Sequence, residues 1–147
     1  MPLVDALFLS LAASFVIALP AIVAELGRPP KDVPLFVDIK NVWGYKLNPR
    51  EVFWLGFLIH LLMAALFGAL YFLLTQFGYV RPYRLGGLLT YATGFYLLVG
   101  LVIFPVFRLG LFGRKEGPWV WFELLVVHHL LGFLMWAGVT AFPALMP

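Results

Sequence analysis

Cysteine is absent from this 147-residue chain. That gap removes disulfides, thiolate nucleophiles, iron–sulfur ligation and every cysteine-based zinc site. Charge is scarce as well: 12% of residues are charged and 63% are hydrophobic, whereas a soluble domain has roughly 25% charged and about half apolar residues. With so little polar surface the chain cannot cover itself in water, so lipid must cover it. The net charge of +3 comes from ten basic residues scattered through connecting segments. They form no cluster of the kind nucleic acid requires, and a basic surface beside anionic lipid accounts for them. Also missing are a Gly-rich phosphate loop, a Ser-His-Asp set, a His-Glu-x-x-His zinc motif and any pair of carboxylates deep in one helix. No catalytic residue emerges, and no catalytic activity is expected of the chain on its own.

What is present is four long apolar runs, Leu3–Ala24, Val52–Phe77, Leu85–Phe107 and Val120–Phe142. Each is long enough for a helix to cross roughly 30 Å of hydrocarbon. Backbone groups in lipid must be satisfied internally, which favours helices, and the runs lack the alternation of a β-barrel. The first run carries Asp5 where a signal peptide would be basic and continues too long before a polar break, so it reads as an uncleaved helix. The expected fold is all-α: one domain over 1–147, with four transmembrane helices arranged as two similar hairpins in a bundle.

Local signals mark the ends. Asn48-Pro49-Arg50-Glu51 supplies an N-cap, a proline at the first helical position and a glutamate at the third. Gly117-Pro118 precedes the fourth helix, Gly27 with Pro29-Pro30 stops the first, and Gly78 ends the second. The connection over 26–50 is long and half apolar, with Leu35, Phe36, Ile39, Val42, Trp43 and Tyr45 among Asp38, Lys40 and Asn41. It reads as a segment lying in the membrane interface with a turn or two of helix. Glu25, at the unfavourable end of the first helix dipole, should seek Arg28 or Arg108. Eight basic residues in the first and third connections against two, Arg81 and Arg84, in the second place those two connections in the cytoplasm and both termini outside, as expected in a bacterial inner membrane.

Small residues recur at four-residue steps, which places them on one helix face where another helix can approach. The second helix offers Gly56, His60, Ala64 and Gly68. The fourth offers Leu124, His128 and Gly132, the first Ser10, Ser14 and Ala18, and the third Gly86 or Gly87, Thr90, Gly94 and Leu98. These stripes predict a compact bundle.

His60 and His128 each lie eight residues beyond the start of their apolar run, about 12 Å below the boundary, on helices that run in the same direction. A polar side chain inside a membrane segment faces protein or a cavity. Packing, with the imidazole bonded to a hydroxyl or carbonyl of a neighbouring helix, is the first reading. The alternatives are a cofactor site, with His60 and His128 ligating haem b or a related macrocycle, and a proton or quinone site. His129, a third of a turn from His128, is a weaker candidate ligand and faces a partner or another helix. The corresponding functions are an accessory or scaffold subunit bound to other membrane proteins or to its own copies in the bilayer, a redox protein, or a proton or small-solute conduit built as an oligomer.

The two hairpins share a design. Pro20 and then Glu25-Leu26-Gly27 in the first match Pro105 and then Arg108-Leu109-Gly110 in the second, and each returning helix carries an early histidine with Ala64 or Gly132 four residues on. This is a parallel repeat about an axis along the membrane normal. Leu19-Pro20, Gly56-Phe57-Leu58-Ile59-His60, Phe67-Gly68-Ala69-Leu70-Tyr71, Phe104-Pro105 and Leu109-Gly110-Leu111-Phe112-Gly113, with His128 and Gly132, resemble the YagU-like small bacterial four-helix membrane proteins over about residues 15 to 140. The long first connection and the doubled His128-His129 depart from that pattern. The resemblance implies a fold and no known reaction, so it carries no catalytic residue across.

Overall fold

The computed structural model describes residues 2–27, 41–42 and 45–142, and for 24–27, 41–42, 45 and 49 the description stops at the backbone. Four long helices form. α1 spans Leu3–Gly27 and α2 Pro49–Gln76. α3 runs from Leu85 to Val106, α-helical to Leu98, π-helical over Val99–Ile103 and α-helical again over Phe104–Val106. α4 spans Val120–Ala141. All four are long and apolar enough to cross a membrane, so the all-α, four-span fold expected from sequence is the fold observed. Of the first connection, 28–40 and 43–44 lie outside the described residues, and so does the expected helical turn there. Asn41–Val42 pairs antiparallel with Tyr45–Lys46, Asn41 opposite Lys46. The expected ion pair of Glu25 also falls on side chains outside the described set.

The start of α2 follows from its sequence. The Asn48 side chain accepts from the Glu51 N–H at 3.0 Å, and the Glu51 carboxylate accepts from the Asn48 N–H at 2.8 Å. This capping box satisfies two donors that the helix end leaves open. Gly78 stops α2 with φ +75°, a conformation that favours glycine.

Unlike a soluble protein, the bundle exposes many large apolar side chains. Ala6, Ser10, Ser14 and Ala18 of α1 are fully buried, while Phe8, Phe15, Val16 and Val23 of the same helix are exposed. On α2, Trp54, Leu58, Leu62 and Leu66 form an exposed stripe at four-residue steps. Large apolar side chains lose nothing by facing lipid, and small ones bring helix backbones together. α1 packs along both α2 and α4, and α3 packs along α4. Gly68 marks a close α1–α2 approach, where a Cβ would come 2.7 Å from the Ala6 carbonyl oxygen. Gly132 does the same for α3–α4, at 3.3 Å from the Leu88 carbonyl.

α2 and α3 are held apart by aromatic rings. Phe67 lies edge-on to Tyr91 and Phe95, with centroids at 4.6 and 5.1 Å. The Tyr91 hydroxyl donates to the Phe67 carbonyl at 2.6 Å, and the Tyr71 hydroxyl accepts from the Tyr83 N–H at 2.8 Å. Burial, reinforced by Tyr71 and Asp5 nearby, pushes the Tyr83 hydroxyl up, so it stays neutral.

This arrangement corrects one expectation. The inward face of α3 is Leu88, Tyr91, Ala92, Phe95 and Val99, all buried, whereas Thr90, Gly94 and Leu98 are exposed. Gly94 is therefore not a packing position, and a Cβ there would meet nothing within 4 Å. The wide α2–α3 separation needs large rings, which turns the glycine stripe of α3 about 100° away from the core. On α1, α2 and α4, Ser10, Ser14, Ala18, Gly56, Ala64, Gly68, Leu124, His128 and Gly132 are buried and His60 is half-buried.

Candidate functional site

Among the described residues, the buried polar side chains are Ser10, Ser14 and His128. Two of these three, Ser14 and His128, line one cavity of about 90 Å³. His60 lines it too, half-buried, so the cavity brings together the two histidines that the sequence places at one depth. The walls are otherwise apolar, including Phe95, Val99 and Leu131, with Glu123 near the end where α2 and α4 begin. Gly56 and Ala64 contribute their small side of α2 to the same space.

Each polar group has a definable state. His60 Nε2 lies 3.2 Å from the Ser14 carbonyl oxygen. A carbonyl only accepts, so the ring donates, tying α2 to α1. His128 Nδ1 lies 2.6 Å from the Leu124 carbonyl in its own helix and donates to it. With Nδ1 committed, Nε2 is the His128 atom left for a ligand, and in the neutral ring it accepts. The His128 ring also packs on Phe95, with centroids 5.4 Å apart. The Ser14 hydroxyl is fully buried, and its Oγ has no hydrogen-bond partner. In contrast, Ser10 one turn earlier donates to the Leu7 carbonyl at 3.0 Å. A buried hydroxyl left unpaired costs about 1–3 kcal/mol, so Ser14 would gain from any molecule that bonds to it.

The π-helical turn of α3 borders this space, since Val99 and Phe104 both line it. Its cause is local. Pro105 has no N–H for the Leu101 carbonyl, and a Cβ on Gly100 would strike the Phe112 ring that packs there. The extra residue in the turn widens α3 where the cavity lies.

His129 takes no part. Its Nδ1 donates to the Leu125 carbonyl at 2.8 Å, and its Nε2 sits 3.1 Å from the Thr93 hydroxyl, joining α4 to α3 outside the cavity. Among the described residues no three His, Asp or Glu side chains come close enough to hold a metal ion. For haem b or another macrocycle the fit is poor. Two histidines line the cavity, but its volume is well under the roughly 300–1,000 Å³ of pockets for drug-sized ligands. A macrocycle would need the hairpins to part.

Sequence reasoning places Ser14 on a packing stripe and does not connect it to the histidines; Glu123, which also lines the cavity, carries no such signal. Depth is the signal that would have done so for Ser14. It lies about nine residues inside the first span, His60 about ten inside the second and His128 about eight inside the fourth, a spread of about 3 Å along the membrane normal. No protein-family model, curated protein or solved structure matches the chain.

Proposed function

We propose that this protein binds one small, uncharged, hydrogen-bonding molecule inside the membrane, in the cavity between its two hairpins. The observation that carries the proposal is the convergence of an unpaired Ser14 hydroxyl with His60 and His128 in an otherwise apolar chamber. Ser14 offers a donor and His128 Nε2 an acceptor, so a carbonyl-and-hydroxyl or amide-bearing molecule matches both. The apolar walls around Ser14 and His128 favour a neutral ligand, because an ion would be stripped of water there and Glu123, the carboxylate that lines the cavity, stands at one end of it. The opposite half of the bundle is filled by Phe67, Tyr71 and Tyr91, which favours a blind binding site over a through-going conduit.

The test is extraction and mass analysis of small molecules from the detergent-purified protein, beside the Ser14→Ala and His128→Ala variants, together with an absorption spectrum. A species that co-purifies stoichiometrically with wild type and is lost from both variants supports the proposal. A Soret band lost in His60→Ala and His128→Ala would replace it with the redox reading. A cavity that holds only water, in wild type and variants alike, would end it.

A second reading is the accessory or scaffold subunit, working with larger membrane proteins or its own copies. It is favoured by α2, whose membrane-spanning stretch is only 22% buried, against 44% for α1. A helix this exposed presents its Leu58–Leu62–Leu66 stripe to lipid or to a partner. Co-purification of larger subunits in mild detergent, abolished by changes on that stripe, would support it. Placement in a bacterial inner membrane with both termini outside, and the likeness to YagU-like proteins, belong with these proposals. Protease protection of tagged termini tests the orientation.

A further inference from the structure

Because rings hold α2 and α3 apart, a groove of about 460 Å³ remains on the outward side of that seam, separate from the histidine cavity. Leu70, Leu74 and Leu98 give it apolar walls, Gly94 leaves it open, and Arg81 and Arg84 stand at one end. We propose that this groove holds one phospholipid of net negative headgroup, with an acyl chain along α3 and its phosphate between Arg81 and Arg84.

Three independent features support this occupant. The first is length. From Arg84 to Leu98 the groove follows about 21 Å of helix, enough for an acyl chain crossing one leaflet's share, roughly 15 Å, of the hydrocarbon. The second is space. A Cβ at Gly86 or Gly94 would meet nothing within 4 Å, so no protein atom fills the volume their missing side chains leave. The third is charge. Arg81 and Arg84 are exposed, and among the described residues neither pairs with a carboxylate. Arg84 is also the N-cap of α3 and provides no side-chain cap, so the first N–H groups of that helix face the same level. Guanidinium groups bind phosphate bidentately, and a helix N-terminus adds partial positive charge.

A second copy of the chain fits less well. In a twofold contact about the membrane normal, the arginines of both copies would meet at one level and repel. A zwitterionic lipid would fill the groove but bring no net negative charge to the two arginines, because its own ammonium group offsets its phosphate, whereas a singly anionic lipid neutralises one of the two.

The experiment is native mass spectrometry of the full-length protein released from detergent containing phosphatidylglycerol or phosphatidylcholine of identical acyl chains. One phosphatidylglycerol should remain bound, and phosphatidylcholine should be retained at least tenfold less. Arg81→Ala with Arg84→Ala should cut phosphatidylglycerol retention at least tenfold, and both sites are exposed enough for the fold to survive. Gly94→Leu should displace the lipid while leaving both arginines in place. Retention unchanged in either variant, or no headgroup preference in wild type, would overturn the proposal. So would an efficient disulfide-linked dimer from Thr90→Cys in this cysteine-free chain, because the groove would then be a contact between copies.

Discussion

Replacing Gly68 by alanine places a methyl group 2.7 Å from the Ala6 carbonyl oxygen and closer still to the Ser10 side chain. Ordinary van der Waals contact begins near 3.4 Å, so α1 must retreat by about 0.7 Å along its seam with α2. The carbonyl cannot rotate away, because it belongs to the helix backbone, and Ala6 and Ser10 are both fully buried. Overpacking of this kind costs about 1–3 kcal/mol. Alanine returns up to about 1 kcal/mol of helix propensity relative to glycine, so the net change is a loss of up to ~2 kcal/mol. Gly94→Ala is the matched control. It gains the same propensity on a neighbouring helix and meets no atom. The gap between the two variants should therefore be ~1–3 kcal/mol, roughly a 5- to 150-fold difference in the unfolding equilibrium. Reversible unfolding of each purified variant in mixed micelles of increasing denaturing detergent measures that gap. Equal stability of the two, or a Gly68→Ala protein more stable than Gly94→Ala, would refute the assignment of one glycine to the helix seam and the other to the surface.

Three further outcomes follow from named contacts. Asn48→Ala breaks the capping box and should cost ~1 kcal/mol, seen as faster amide exchange over the first turn of α2 with the other helices unchanged. Tyr91→Phe removes the 2.6 Å bond to the Phe67 carbonyl and should destabilise by ~0.5–1.5 kcal/mol in the same unfolding assay, since the ring that spaces α2 from α3 remains. His60→Leu removes the donor to the Ser14 carbonyl and with it a hydrogen bond that ties α2 to α1, so thermal stability and assembly in detergent should both fall. A variant as stable and as well assembled as wild type would show that the His60–Ser14 bond does not help hold α1 to α2.

Much of this architecture is written in residues that act locally or by simple counting. Four uncharged stretches of spanning length leave the backbone no alternative to helices in lipid. Asn48 and Glu51 form their cap within three residues of each other, and Gly78 ends α2 by its own conformation. The small residues of α1, α2 and α4 face inward because only they admit a neighbouring backbone. The depth of His60 and His128 follows from counting along helices that run the same way.

Tertiary structure decided which way each helix turned and which helices became neighbours. α3 is apolar nearly all round, so its glycine stripe and its aromatic stripe were both plausible inward faces. Only the wide α2–α3 spacing, bridged by Phe67, Tyr91 and Phe95, chose the aromatic one and left Gly94 on the surface. That two imidazoles at one depth share a cavity also depended on the order in which the helices pack. α1 packs against both α2 and α4, which brings Ser14 to the cavity that the histidines line, and Pro105 with the Phe112 ring widens α3 beside them. A membrane supplies no amphipathic signal to orient a helix, because lipid and protein interior are equally apolar. Rotation is therefore fixed by shape and by a few hydrogen bonds between residues far apart in the chain.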